Sequence, residues 1–193
     1  MWKEGLVFRV LIFAFSALMN EGIVDYDSSL DLPSSHVPVA PPCNLLRSIV
    51  KWDSLYFLEV AHNGYMYEKN HAFFPFYPML IRFFGEIIGL SGLDIECSYI
   101  LAGVLISWIS FAAASEMMYR LSRVLFSETR AELSTYLFIV NPAGVFMSAL
   151  YTTSLFSFLS ISGLYFFYKD LSLENKGKSV ITVPLKNWIA GTL

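Results

Sequence analysis

Between Tyr99 and Tyr119 the chain reads YILAGVLISWISFAAASEMMY, with Glu116 near the end as the sole charge. A helix of ~20 such residues matches the hydrocarbon thickness of a bilayer. This run constrains the fold more than any other feature, because backbone inside lipid must satisfy its own hydrogen bonds. Composition agrees: 55% of residues are hydrophobic, 17% aromatic and 15% charged, more apolar than soluble domains of this size. The expected fold class is all-α, a polytopic membrane protein, with residues 1–193 as part of one membrane domain.

Three further spans are expected, at about 5–20, 133–151 and 153–168. The stretch Leu133–Tyr151 is interrupted at Asn141-Pro142, and Thr153–Tyr168 follows at once, which demands a tight helical hairpin. In the N-terminal stretch Arg9 is expected to snorkel toward the headgroups. A cleaved signal peptide is the rival reading there; Arg9 interrupts its apolar core and LMNEGIV offers no small-residue cleavage site, which favours an uncleaved anchor. Lys3, Arg9, Arg120, Arg123, Arg130, Lys169, Lys176, Lys178 and Lys186 all fall on one side if residues 21–98 lie on the other. The positive-inside rule then puts the basic loops in the cytosol and that long acidic loop in the lumen or outside. Within it, 28–42 reads as an irregular Pro/Ser-rich loop. Residues 78–90 read as an interfacial helix with Arg82, Gly85, Glu86 and Gly89 as its polar stripe. After Lys186 too little chain follows for another span, so the sequence reads as a fragment or shortened form of a longer protein.

Several function classes lose support. The net charge of -3 and the lack of a basic cluster argue against nucleic acid. Two cysteines, Cys43 and Cys97, make no disulfide framework, and no zinc spacing or phosphate-cradling loop occurs. No metal and no cofactor is called for. The informative stretch is 52–78, WDSLYFLEVAHNGYMYEKNHAFFPFYP. If 44–62 is helical, Asp53 shares a face with Ile49, Val50, Tyr56, Phe57 and Val60. It is then either a capping carboxylate or a general base without a local cationic partner. Asp25-Tyr26-Asp27 is a rival acidic pair, a weak Asp-x-Asp pattern that also suits a solvated loop. His62 is a helix-end residue or a ligand, with Gly64 as the helix cap. Phe73, Phe74 and Tyr77, stiffened by Pro75 and Pro78, are an anchor belt or a wall for a lipid or sugar ring. Asn141 sits at a break that faces protein or a cavity.

These residues resemble the PIG-V family of GPI mannosyltransferases, which shares the membrane architecture of GT-C glycosyltransferases. The resemblance is carried by Trp52-Asp53, Tyr56-Phe57-Leu58, Ala61, His62-Asn63-Gly64-Tyr65, Tyr67-Glu68, Asn70, Ala72-Phe73-Phe74-Pro75 and Pro78. A second block is Asn141-Pro142-Ala143, Val145-Phe146 and the hairpin at Tyr151. The resemblance implies a multi-pass enzyme of the endoplasmic reticulum membrane. It would transfer the second mannose of a GPI precursor, α-1,6-linked, from dolichol-phosphate-mannose, with both glycolipids as substrates. Trp52 and Asp53 match the family's lumenal Trp-Asp pair; Asp53 is the expected catalytic residue, and Trp52, His62, Tyr65, Phe73, Phe74, Tyr77 and Asn141 are the candidates toward substrate. The chain departs from the family where Thr152, Thr153 and Ser154 replace the acid that usually follows the hairpin tyrosine. The family also has about twice as many spans, so this short chain alone is expected to be inactive. The alternatives are a GT-C enzyme with another lipid-linked sugar, and a non-enzymatic transporter or scaffold built from the same helices.

Overall fold

A computed structural model describes residues 1–22 and 45–174. The described residues are helical, as the sequence leads one to expect: α1 (Trp2–Gly22), α2 (Asp53–Asn63), α3 (Phe76–Gly89), α4 (Ile95–Leu125), α5 (Glu128–Ile139), α6 (Gly144–Ser148) and α7 (Thr153–Glu174), with 3-10 turns at Leu45–Ile49 and Glu68–Ala72.

The axis of the molecule is α4, whose 31 residues extend ~46 Å at 1.5 Å per residue. Asp94 starts it by accepting from the backbone N–H groups of Glu96 at 3.1 Å and Cys97 at 3.4 Å, the usual service of an acidic N-cap. Among the described residues α4 is the one helix long and apolar enough to cross a membrane. By length and composition one of the four expected spans is met among the described residues. The stretch 133–151 is divided between α5, 12 residues, and α6, 5 residues, because proline has no N–H to continue the ladder. Although α1 and α7 have 21 and 22 residues, Lys3, Glu4 and Arg9 dilute the first, and Ser154, Ser157, Ser160 and Ser162 the second.

Contacts along α4 give the register. On α1, Gly5 meets Ser115, Arg9 meets Phe111 and Phe13 meets Trp108, so α1 runs antiparallel to α4. On α3, Tyr77 bonds Gly103 and Ser107 while Gly85 meets Tyr99, again antiparallel. A Cβ on Gly85 would lie 2.3 Å from Tyr99 Cδ1; glycine here allows close helix approach. Gly85 thus faces α4 and leaves the expected polar stripe. Arg82 and Glu86 remain outside as an ion pair at 3.0 Å, surrounded by the exposed Met79, Phe83, Phe84 and Ile87. The main core joins α2, α3, α4 and the corner before α7 through Phe57, Leu58, Tyr77, Ile81, Ile100, Val104 and Leu150.

Arg9 corrects the sequence reading outright. It is 0% exposed, turned into the protein instead of toward headgroups. Its guanidinium donates to the carbonyls of Gly144 and, at 2.9 Å, Ile139. These carbonyls flank the Asn141-Pro142 break: that of Ile139 ends α5, where the helical ladder runs out of donors, and that of Gly144 begins α6 and also accepts from Ser148 Oγ at 3.1 Å.

Candidate active site

Residues 44–62 do not form one helix. The chain turns at Val50–Trp52 and restarts at Asp53, so Asp53 lies in the first turn of α2 and not on the mid-helix face expected. Trp52 has φ 51° and ψ -119°, and it is the one non-glycine residue at positive φ among those described. Ser54 N–H donates to Lys51 O at 3.1 Å, which closes a turn of type II′ geometry. Its first central position is ordinarily glycine. A tryptophan there costs ~1–3 kcal/mol and persists only where the surroundings impose it.

Those surroundings come from the far end of the hairpin. The Trp52 ring, 54% exposed, lies 6.2 Å from that of Phe146, and Phe146 lies 5.6 Å from Tyr151. Tyr151 Oη donates to Lys51 O at 3.3 Å, and its own carbonyl accepts from Ser107 Oγ on α4 at 3.3 Å. Burial holds the Tyr151 phenol above its usual range, and the nearby Asp53 carboxylate raises it further against a weaker hydrogen-bond effect. The phenol therefore stays a donor beside an exposed carboxylate.

The aromatic motif forms one wall. Phe73 stacks on Tyr56 at 4.8 Å and meets Phe57 edge-on at 5.2 Å. Phe57 in turn touches Tyr77 and Tyr151 at 5.2 and 6.4 Å. Tyr77 is 1% exposed, with its hydroxyl shared between Gly103 O at 3.1 Å and Ser107 Oγ at 2.9 Å. Burial drives its phenol pKa up. It is a strut behind the wall, whereas Phe74, 83% exposed, projects away from the protein.

The remaining candidates lie elsewhere. His62, at the opposite end of α2, meets Glu96 Oε2 at 2.7 Å and the Tyr99 ring at 4.3 Å. The contact does not have the geometry of a regular hydrogen bond. It ties α2 to the N-terminal end of α4. The Tyr65 hydroxyl donates to Phe73 O and braces the aromatic turn, while Gly64 caps α2 at φ 73° as expected. Asn141 Oδ1 accepts from Ala143 N–H at 2.8 Å and shapes the hairpin corner. Asp25, Asp27 and Cys43 lie outside the described residues. Cys97 is disulfide-bonded, a state that belongs to oxidising compartments such as the lumen.

Sequence reasoning did not assign a role to Phe146 or Tyr151 at this turn. It also passed over Glu59, which is buried on α2 beside Asn63 Nδ2 at 3.0 Å. Asn70 is fully buried with neither amide atom partnered among the described residues. What the site offers is an exposed carboxylate on a strained turn, an aromatic flank and a phenol donor, together suited to deprotonating a hydroxyl beside a ring-shaped substrate.

The family model described as Mannosyltransferase (PIG-V) matches residues 3–183. GPI alpha-1,6-mannosyltransferase 2 of Rattus norvegicus is 33% identical over 173 residues, covering 84% of this chain and 35% of the relative. GPI mannosyltransferase 2 of Cryptococcus neoformans is 30% identical over 161 residues, covering 81% and 36%. That of Drosophila pseudoobscura is 28% identical over 173 residues, covering 83% and 38%. The chain thus spans about a third of the length of the relatives it matches. No solved structure matches it. With the family model covering nearly all of the sequence and these relatives aligned across most of it, the chain belongs to the PIG-V mannosyltransferase family.

Proposed function

We propose that this chain carries the acceptor-activating site for transfer of an α-1,6-linked mannose to a GPI precursor. The donor is dolichol-phosphate-mannose and the site faces the lumen of the endoplasmic reticulum. The observation that carries this reading is the Trp52-Asp53 turn. A non-glycine residue held at φ 51° beside an exposed acid is strain placed where chemistry would use it. The names of the relatives supply the reaction class.

In this mechanism the Asp53 carboxylate takes the proton of the acceptor 6-hydroxyl. The freed oxygen pair forms the new bond to C1 of mannose, the C1–O bond to phosphate breaks, and dolichyl phosphate leaves with its electron pair. Phosphate is already a good leaving group, so the second carboxylate of a glycoside hydrolase is not needed. The aromatic wall of Tyr56 and Phe73 flanks the sugar, and Trp52, packed on Phe146, holds the turn that carries the carboxylate. The fold reading belongs to the same proposal: a GT-C-like enzyme in which α1, α4, the α5–α6 pair and α7 cross the bilayer, with α2 and α3 on the lumenal side.

The test is restoration of surface GPI-linked proteins in cells lacking this mannosyl step, with each substitution made in the full reading frame. Wild type restores them, Asp53→Asn does not, and Asp25→Asn and Asp27→Asn retain more activity than Asp53→Asn. An inactive Asp25 or Asp27 variant beside an active Asp53→Asn would move the base to the start of the loop.

A further inference from the structure

Arg9 is a buried cation with no carboxylate partner among the described residues. Burying an unpaired guanidinium is costly unless its donors are taken up. Here the terminal nitrogens are taken up by the carbonyls of Gly144 and, at 2.9 Å, Ile139 and by the Ser148 hydroxyl at 3.3 Å, while Nε is buried with no partner among the described residues. The guanidinium carbon also lies 4.0 Å from the centre of the Phe111 ring on α4, within cation–π range. Gly144 permits this approach, because a Cβ there would sit 3.1 Å from both terminal nitrogens of Arg9. Arginine suits the task because its planar fork presents donors in several fixed directions at once.

The grip falls on the segment beneath the Trp52-Asp53 turn. Gly144 and Ser148 bound α6, and Phe146, between them, is the residue packed against both Trp52 and Tyr151. Ser148 O also accepts from Trp108 Nε1 at 3.0 Å, which ties the same corner to α4. α6 has 5 residues, too few to hold its own position. Ile139 and Gly144 stand on either side of Asn141-Pro142, so one side chain joins both edges of the break.

We infer that Arg9 is a positioning residue: from α1 it clamps the α5–α6 corner and thereby fixes Phe146 and Tyr151 under the Trp52-Asp53 turn. This rests on reading that turn as the site. A residue of the first helix thus controls geometry that the sequence assigns to the long loop and the hairpin.

The experiment pairs a proximity readout with an activity readout in the full reading frame. Cysteines replacing Trp52 and Phe146 are joined in microsomes by a short bismaleimide. A second pair, at His62 and Glu96, reports folding of the α2–α4 contact without involving α1. In Arg9→Met the 52–146 cross-link slows at least ~10-fold while the 62–96 cross-link keeps its rate. Arg9→Lys, which retains charge but not the fork, falls between. With Trp52 and Phe146 restored, Arg9→Met lowers turnover with little change in the apparent KM for acceptor. A 52–146 cross-link at the parental rate in Arg9→Met, with that protein present at parental level, overturns the inference. Should Arg9→Met lose both cross-links through misfolding, Gly144→Ala, which crowds the guanidinium, takes its place: a slowed 52–146 cross-link supports the clamp and an unchanged one overturns it. Failure of the site reading is distinguishable, because it appears as an active Asp53→Asn and leaves the cross-linking rates untouched.

Discussion

Trp52 is where residue chemistry and backbone geometry disagree most. Its φ of 51° favours glycine, and its ring is held by packing against Phe146. Trp52→Gly should therefore leave thermal stability in detergent unchanged or slightly raised, since relief of ~1–3 kcal/mol of strain offsets the lost ring contact. Mannose transfer should fall, because the ring contact that holds the Asp53 turn against Phe146 is gone. A variant that unfolds at lower temperature yet transfers normally would make Trp52 a packing residue. The identity of this pair was legible in the sequence, and its geometry was not. No glycine or proline marks the turn at Val50–Trp52, so the apolar periodicity ran straight through it. Arg9 was misread for a related reason. Its partners are backbone carbonyls more than a hundred positions away, and a carbonyl leaves no mark in a sequence.

At the scale of elements, apolar length and proline placement told most of the story. They located α4, the interruption at Asn141-Pro142 and the end of α2 at Gly64. They could not give the face by which α3 meets α4, because Gly85 reads as polar in a pattern of charged and apolar residues. In the fold it is the point of closest approach. A Cβ at that position would lie 2.9 Å from Tyr99 Cε1 and 3.2 Å from the Tyr99 backbone, so the neighbour has little freedom to yield. Gly85→Ala should destabilise the protein by ~1–3 kcal/mol, the usual cost of overpacking. A lower melting temperature in detergent is expected, and an unchanged one would show that α3 and α4 are not packed at this point. By contrast Arg82→Ala, on the exposed ion pair, should change stability little.

For the whole molecule, the Cys97 disulfide and the segregation of basic residues favour one orientation. Residues 20–98 should be lumenal and the Arg120–Arg130 loop cytosolic. In sealed microsomes a cysteine at position 125 should react with an impermeant maleimide from outside. Protection there, with labelling after the vesicles are opened, would invert the arrangement. This orientation matters because it puts Asp53 on the side where the proposed acceptor is presented. Direct transfer of mannose therefore tests the central claim best: microsomes carrying the full-length wild type or Asp53→Asn at matched protein levels, given dolichol-phosphate-mannose and a GPI precursor with one mannose. Loss of a general base typically lowers rate by ~10²–10⁴, and Asp53→Asn is predicted to fall in that range with membrane insertion intact. Transfer by Asp53→Asn at near the wild-type rate would contradict the account.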